Sequence, residues 1–243
     1  MLGLIFADFD KIHFSLFGLD LVEPMALVTD SILGITSVVF GIIIMRKMKT
    51  DHPFYSYWMW FFLIFGVGAF YGGLSHIFFN YWGVVGKFGT WIAGPISIYC
   101  IEQAMISAHP NSKTVNLLKG ISFWKLVIVF AVWIAIVTMG PIHEKPAIGF
   151  LPIAINTIVG VLISAGVLGR YYYKKGMSIN YKYFVLGVLV MLPSAFIFLM
   201  KINLHPWFDK NDLSHVLLLA GITYFFLGCK RLHKEGLNQD AYI

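Results

Sequence analysis

The chain predicts an all-α, polytopic membrane bundle of seven transmembrane helices, with its N-terminus outside and its C-terminus cytoplasmic. Three observations carry that expectation. Of its 243 residues, 58% are hydrophobic and 12% charged, and the mean hydropathy is +0.77; soluble domains carry about 25% charged residues. Apolar stretches recur at the roughly 20 residues a helix needs to cross a hydrocarbon core about 30 Å thick. Lysines and arginines collect in alternate connections, and such basic connections stay on the cytoplasmic side. The net charge of +6 follows from these connections and implies no nucleic-acid partner.

Residues 1–22 read as a retained amphipathic segment lying at the membrane interface. Asp8, Asp10 and Asp20 stand among Phe6, Phe9, Phe14 and Phe17, without the basic start and small-residue cleavage site of a signal peptide. The first span, 24–45, is opened by Glu23-Pro24 as cap and first-turn proline. The others are expected at 57–80, 84–108, 121–139, 148–169, 183–200 and 213–229. Tyr81-Trp82-Gly83, His109-Pro110-Asn111 and Gly140-Pro141 break the chain between spans. The last span is short, which brings its flanking charges close to the membrane surface.

The basic side holds Arg46, Lys47 and Lys49, then Lys113 and Lys119, then Arg170, Lys174, Lys175 and Lys182, and finally Lys230, Arg231 and Lys234. The other side holds fewer cations, accompanied by Glu144, Asp209 and Asp212. Trp58, Trp60, Trp82, Trp91 and Trp207 lie near span ends, where amphipathic rings anchor. Cys100 and Cys229 have no ligand spacing, so neither a disulfide framework nor a cysteine metal site is expected. No internal repeat or linker divides the chain. It reads as one transmembrane domain over 1–243, a multi-pass integral membrane protein that belongs in the cytoplasmic membrane if its source is bacterial.

Ionisable groups inside a membrane helix are costly and therefore functional candidates. Glu23 and Asp30 are seven apart, on one face of the first helix; His76 is near the outer end of the second; Asp212 and His215 open the seventh, three apart. All fall in the outer third of the bundle. The tripeptide Leu-Ser-His occurs twice, at Leu74-Ser75-His76 and Leu213-Ser214-His215. His76, His215 and Asp212 form a plausible zinc set with one position left for water, whose pKa such a metal brings to about 7. Asp30 or Glu23 is then the general base or a group that orients a histidine. Ser75, Asn211, Ser214 and His205 stand around this set. The plainer reading makes His76 an interhelical hydrogen-bonding group and Asn211 and Asp212 caps of the seventh helix. Glu102 and Gln103 lie in the cytoplasmic half of the third helix, away from this cluster. The seventh helix has no lysine between Leu213 and Cys229, which argues against retinal.

Seven helices with acids on the first, a histidine on the second and another on the seventh resemble the CREST superfamily. That group includes the alkaline ceramidases and the progestin and adiponectin receptor family. The resemblance implies zinc held by His76 and His215 and hydrolysis of a lipid amide. This chain has Asn211 four residues before His215, Leu219 four after it, Gly72 one turn before His76, and no aspartate on the third helix. Three functions are therefore expected in turn. The first is a zinc-dependent membrane hydrolase acting on a lipid amide or ester. The second is a non-enzymatic membrane protein that binds a lipid, a partner subunit or a second copy. The third is a small-solute or proton carrier using Asp30, Glu102 and Lys201.

Overall fold

The computed structural model describes residues 9–48 and 51–236. Lys49 and the first residues of the N-terminal segment, including Phe6 and Asp8, lie outside them. Seven helices are long and apolar enough to cross a membrane: α1 (Pro24–Lys47), α2 (Pro53–Ile77), α3 (Phe79–Ser107), α4 (Ser112–Met139), α5 (Pro146–Lys174), α6 (Ile179–Leu199) and α7 (Lys210–Glu235). Two of them are irregular. The beginning of α3 passes through a 3-10 stretch, Gly83–Lys87, and α5 contains a π-helical stretch, Leu162–Leu168.

Before α1, strands β1 (His13–Leu16) and β2 (Leu19–Val22) pair as an antiparallel hairpin, Leu16 opposite Leu19 and His13 opposite Val22. Its two turn residues, Phe17 and Gly18, both have positive φ, 52° and 78°. That is the twist a two-residue hairpin loop requires. The hairpin is docked on the start of α3, where the Asp20 amide donates to the Tyr81 hydroxyl at 2.9 Å and Asn80 Nδ2 donates to Asp20 Oδ2 at 2.8 Å. Leu21 and Val22, at the end of β2, are buried.

Helix ends depart from the hydropathy spans where polar caps extend an apolar core. The His52 side chain accepts the Phe54 N–H, and Pro53 takes the first position, so α2 begins ahead of residue 57. The Asn111 side chain accepts the Thr114 N–H, which draws Lys113 and Lys119 onto α4. At α7 the Asp209 side chain accepts the Asp212 N–H, and Asp212 Oδ2 accepts the Asp209 N–H in return, a capping box. With that start, α7 runs 26 residues and is not the short span expected.

In space, α1 lies between α2 and α7, α2 packs on α3, α3 on α5, α5 on α6, and α6 on α7. α4 leans on the outside of α3 and α5. Only 11% of its apolar window is buried, against 50% for α2. Gly34 and Gly66 set the α1–α2 spacing: a Cβ on either would come 2.7 Å from the other's carbonyl oxygen. Small residues of this kind let membrane helices touch backbone to backbone.

At the end away from the hairpin the interior is aromatic. Trp58 stacks on Phe184 at 5.1 Å, and Phe54 and Phe225 complete the group. Trp58 is fully buried and Trp91 nearly so, so these two are core residues where the sequence suggested interfacial anchors. Cys100 and Cys229 are free and buried.

Candidate functional site

At the hairpin end, α1, α2, α3 and α7 bring six ionisable side chains together. Glu23 precedes α1 with a left-handed backbone, φ 52° and ψ 56°, and its side chain does not cap the helix. A non-glycine residue in that region stores strain of about 1–3 kcal/mol, and such strain concentrates at functional sites. Here the surroundings hold it in place. The Glu23 amide donates to the Ile12 carbonyl at 3.0 Å. Its Oε2 meets Lys11 Nζ at 3.0 Å and His76 Nδ1 at 2.9 Å. Burial works to raise the Glu23 pKa, but the hydrogen bond and charge of His76, together with Lys11, outweigh it and bring it from 4.5 to about 2.

The other ring nitrogen of His76 faces Lys87 Nζ at 3.3 Å. With the ammonium donating to Nε2, the neutral imidazole carries its proton on Nδ1 and gives it to Glu23. Lys87 is also within electrostatic reach of Asp30. Asp30 Oδ1 lies 3.3 Å from His215 Nε2, and His215 Nδ1 lies 2.9 Å from Thr29 Oγ1. Thr29 Oγ1 in turn sits 2.8 Å from Asp212 Oδ1. Asp30 is accommodated because Gly73 offers no side chain; a Cβ there would come 3.0 Å from the Asp30 Cβ. A cavity of about 30 Å³, lined by Lys11, Glu23, Asp209 and Asp212 among others, adjoins the cluster. That is roughly the space of one water molecule.

Glu23, Asp30, His76, Asp212 and His215 are thus gathered as the sequence led one to expect, although in two linked groups. The surrounding residues are placed elsewhere. Ser75 donates to the Gly72 carbonyl of its own helix at 2.7 Å, and Ser214 to the Lys210 carbonyl at 2.6 Å. Asn211 Nδ2 binds Asp209 at 3.1 Å, and His205 Nδ1 accepts the Trp207 N–H in the α6–α7 connection. None of these four contacts the imidazoles in the hydrogen bonds above.

Lys87, Thr29 and Lys11 complete the network, and the sequence reading passes over all three. Lys87 did carry a signal: it is a lysine inside an apolar span, the same signal by which Asp30 was picked out. Thr29 had none, since a hydroxyl in a membrane helix ordinarily bonds its own backbone.

As arranged, the donors do not present a metal site. Both nitrogens of each imidazole already meet a protein partner, and the group facing His76 Nε2 is itself a cation. Among the described residues, no three His, Cys, Asp or Glu side chains are gathered as a metal ion needs.

A second network lies deeper in the bundle. Glu102 of α3 pairs with Lys125 of α4, Ser122 donates to Glu102 Oε2 at 2.6 Å, and Lys125 donates to Asn156 Oδ1 of α5 at 2.7 Å. Lys87 and Glu102 are 15 residues apart on one helix, which is about 20 Å. The two networks are therefore separate.

Fold and site together define a seven-helix apolar bundle with an acid–base cluster buried at one end. The chain belongs to a family of unknown function, DUF6962, whose model matches residues 25–234. Comparison with curated proteins found no match, and neither did comparison with solved structures.

Proposed function

We propose that this protein is a non-enzymatic membrane protein whose Asp30–His215–Thr29–Asp212 group takes up and releases a proton at the hairpin end. A count of protons supports this reading. Three close contacts in the group set one electronegative atom against another: His215 with Asp30, His215 with Thr29, and Thr29 with Asp212. Each needs one hydrogen to be attractive. The threonine hydroxyl supplies one and a neutral imidazole one. Thr29 Oγ1 also lies 3.1 Å from the Met25 carbonyl, so at least one further proton is shared among Asp30, His215 and Asp212, which leaves the three with at most one negative charge opposite Lys87. The Thr29 hydroxyl can turn to either side, so this proton can sit near Asp30 or near Asp212. Asp212 lines the water-sized cavity. Proton entry and exit on that side follow.

With the basic connections cytoplasmic, the hairpin end faces outward and the proton is taken from the outer side. The cavity beside Asp212 has room for about one water molecule. This weighs against the hydrolase reading that the resemblance to the CREST superfamily suggested. Zinc at His76 and His215 would also require Lys87 and Thr29 to release the ring nitrogens.

Infrared difference spectra of the purified protein, recorded between acid and alkaline buffer, test the proposal. A carboxylic-acid carbonyl band that changes with pH and is lost in Asp30→Asn or Asp212→Asn is expected. A spectrum without such a band would overturn the proposal. Stoichiometric zinc, lost in His76→Ala, would overturn it in favour of the hydrolase.

A further inference from the structure

The Glu102–Lys125 pair is not used by the proton site, and its surroundings are those of a binding site. Lys125 lies at the middle of α4, the helix least covered by the rest of the bundle. Its side chain is 28% exposed although it is ion-paired. Along the same face, Leu117, Gly120, Ile121, Trp124 and Ile128 line a shallow, apolar recess of about 620 Å³ that also reaches Lys125.

The polar groups in the cluster are incompletely matched. Two of the three ammonium hydrogens of Lys125 are used, by Glu102 and Asn156 Oδ1. Because Asn156 Oδ1 accepts from Lys125, its Nδ2 must point elsewhere, and it has no hydrogen-bond partner among the described residues. Asn156 is only 4% exposed. A buried amide donor without a partner costs about 1–3 kcal/mol, and an unmatched donor deep in an apolar span is worse placed than one at a surface. Nearby, α5 departs from α-helical geometry at Leu162–Leu168, and π-helical turns are frequent at functional sites.

We propose that Lys125 and Asn156, with Glu102 holding the ammonium in place, bind the carbonyl oxygen of a neutral, lipid-soluble molecule whose apolar part lies along α4. Charge decides the class. Glu102 and Lys125 already cancel, so an anionic ligand would leave an uncompensated charge within the span, whereas a carbonyl takes the spare donors and adds none. The recess supplies the apolar contact, and the exposed flank of Lys125 supplies the approach from the bilayer.

Trp124 is a built-in reporter, since it is exposed on the same recess. The probe is decylubiquinone, a neutral carbonyl-bearing quinone that quenches indole fluorescence, added to the protein in liposomes. Saturable quenching that is absent in Trp124→Phe is expected, and decylbenzene, which has no carbonyl, should not compete. Asn156→Leu, which keeps the ion pair, should raise the midpoint about tenfold, as expected for one lost hydrogen bond. The charge-neutral double variant E102Q/K125M should raise it further. Quenching that rises linearly, equal competition by decylbenzene, or an unchanged midpoint in Asn156→Leu would each overturn the proposal. The pair would then be a staple holding α4 to the bundle, seen as a lower melting temperature alone.

Discussion

The two ends of the bundle hold helices together by opposite means, with α2 and α7 common to both. At the hairpin end, α1, α2, α3 and α7 meet through Glu23, His76, Lys87, Asp30, His215 and Asp212. At the other end, α2, α6 and α7 meet through the rings of Phe54, Trp58, Phe184 and Phe225. Ring packing tolerates no water and has no state to switch, and it gives a rigid base. A chain of acids and bases costs desolvation and is held only by mutual compensation. That cost is a reason to read the hairpin end as the working part and the aromatic end as its support.

The contrast breaks most sharply at Lys87. Lys87→Met removes the cation that faces His76 and Asp30 and should lower stability by about 3–5 kcal/mol, the range for a buried charge that loses its partner. Thermal melting in detergent measures this, and a loss below about 1 kcal/mol, the value of an exposed pair, would mean that water already screens the cluster. At the aromatic end, Trp58→Ala should cost about 3 kcal/mol. That is the low end for a large aromatic deletion, because a lipid-solvated reference state removes part of the transfer term. Its loss should not depend on pH, whereas that of Lys87→Met should.

Acid sharpens the comparison further. The Glu23 pKa is depressed from 4.5 to about 2, so its contribution is present above 4.5 and is lost as pH falls from there towards 2. The contribution is at most on the order of 3 kcal/mol. The melting temperatures of wild type and Glu23→Gln should therefore converge over that range; parallel curves would show that the His76 and Lys11 contacts do not hold the carboxylate. The smallest effect belongs to His52, at the aromatic end. Burial, and then the charge of Lys119, lower its pKa, and its Nδ1 must stay bare to cap α2. His52→Ala should cost about 1 kcal/mol at neutral pH. That cost should vanish in acid, as pH falls through the lowered pKa and the cap is lost from the wild type.

Seven apolar helices and the convergence of Asp30, His76 and His215 were legible in the sequence. The length and hydropathy of each span are local properties, and seven alternating crossings put the hairpin-side ends of α1, α2 and α7 on one side, while packing brings them into contact. Helix ends were less legible, because His52, Asn111 and Asp209 extend helices through cap hydrogen bonds that hydropathy does not weigh. Residues 13–22 form a hairpin whose signal was one Phe-Gly turn among aromatic residues, easily read as an amphipathic segment.

What the sequence by itself determined is the class of protein: apolar spans of membrane length, and a few ionisable side chains that such spans tolerate only when they are compensated. Which groups compensate one another was decided by tertiary structure. Lys87 faces His76, Thr29 stands between His215 and Asp212, and Lys125 reaches Glu102 across two helices, through rotations and spacings set by contacts such as Gly34 on Gly66 and Gly73 on Asp30. Hydropathy registers how deep a residue lies but not the direction it faces around its helix. In a bundle of this kind that direction separates a zinc set, an acid–base chain and a pair of helix staples.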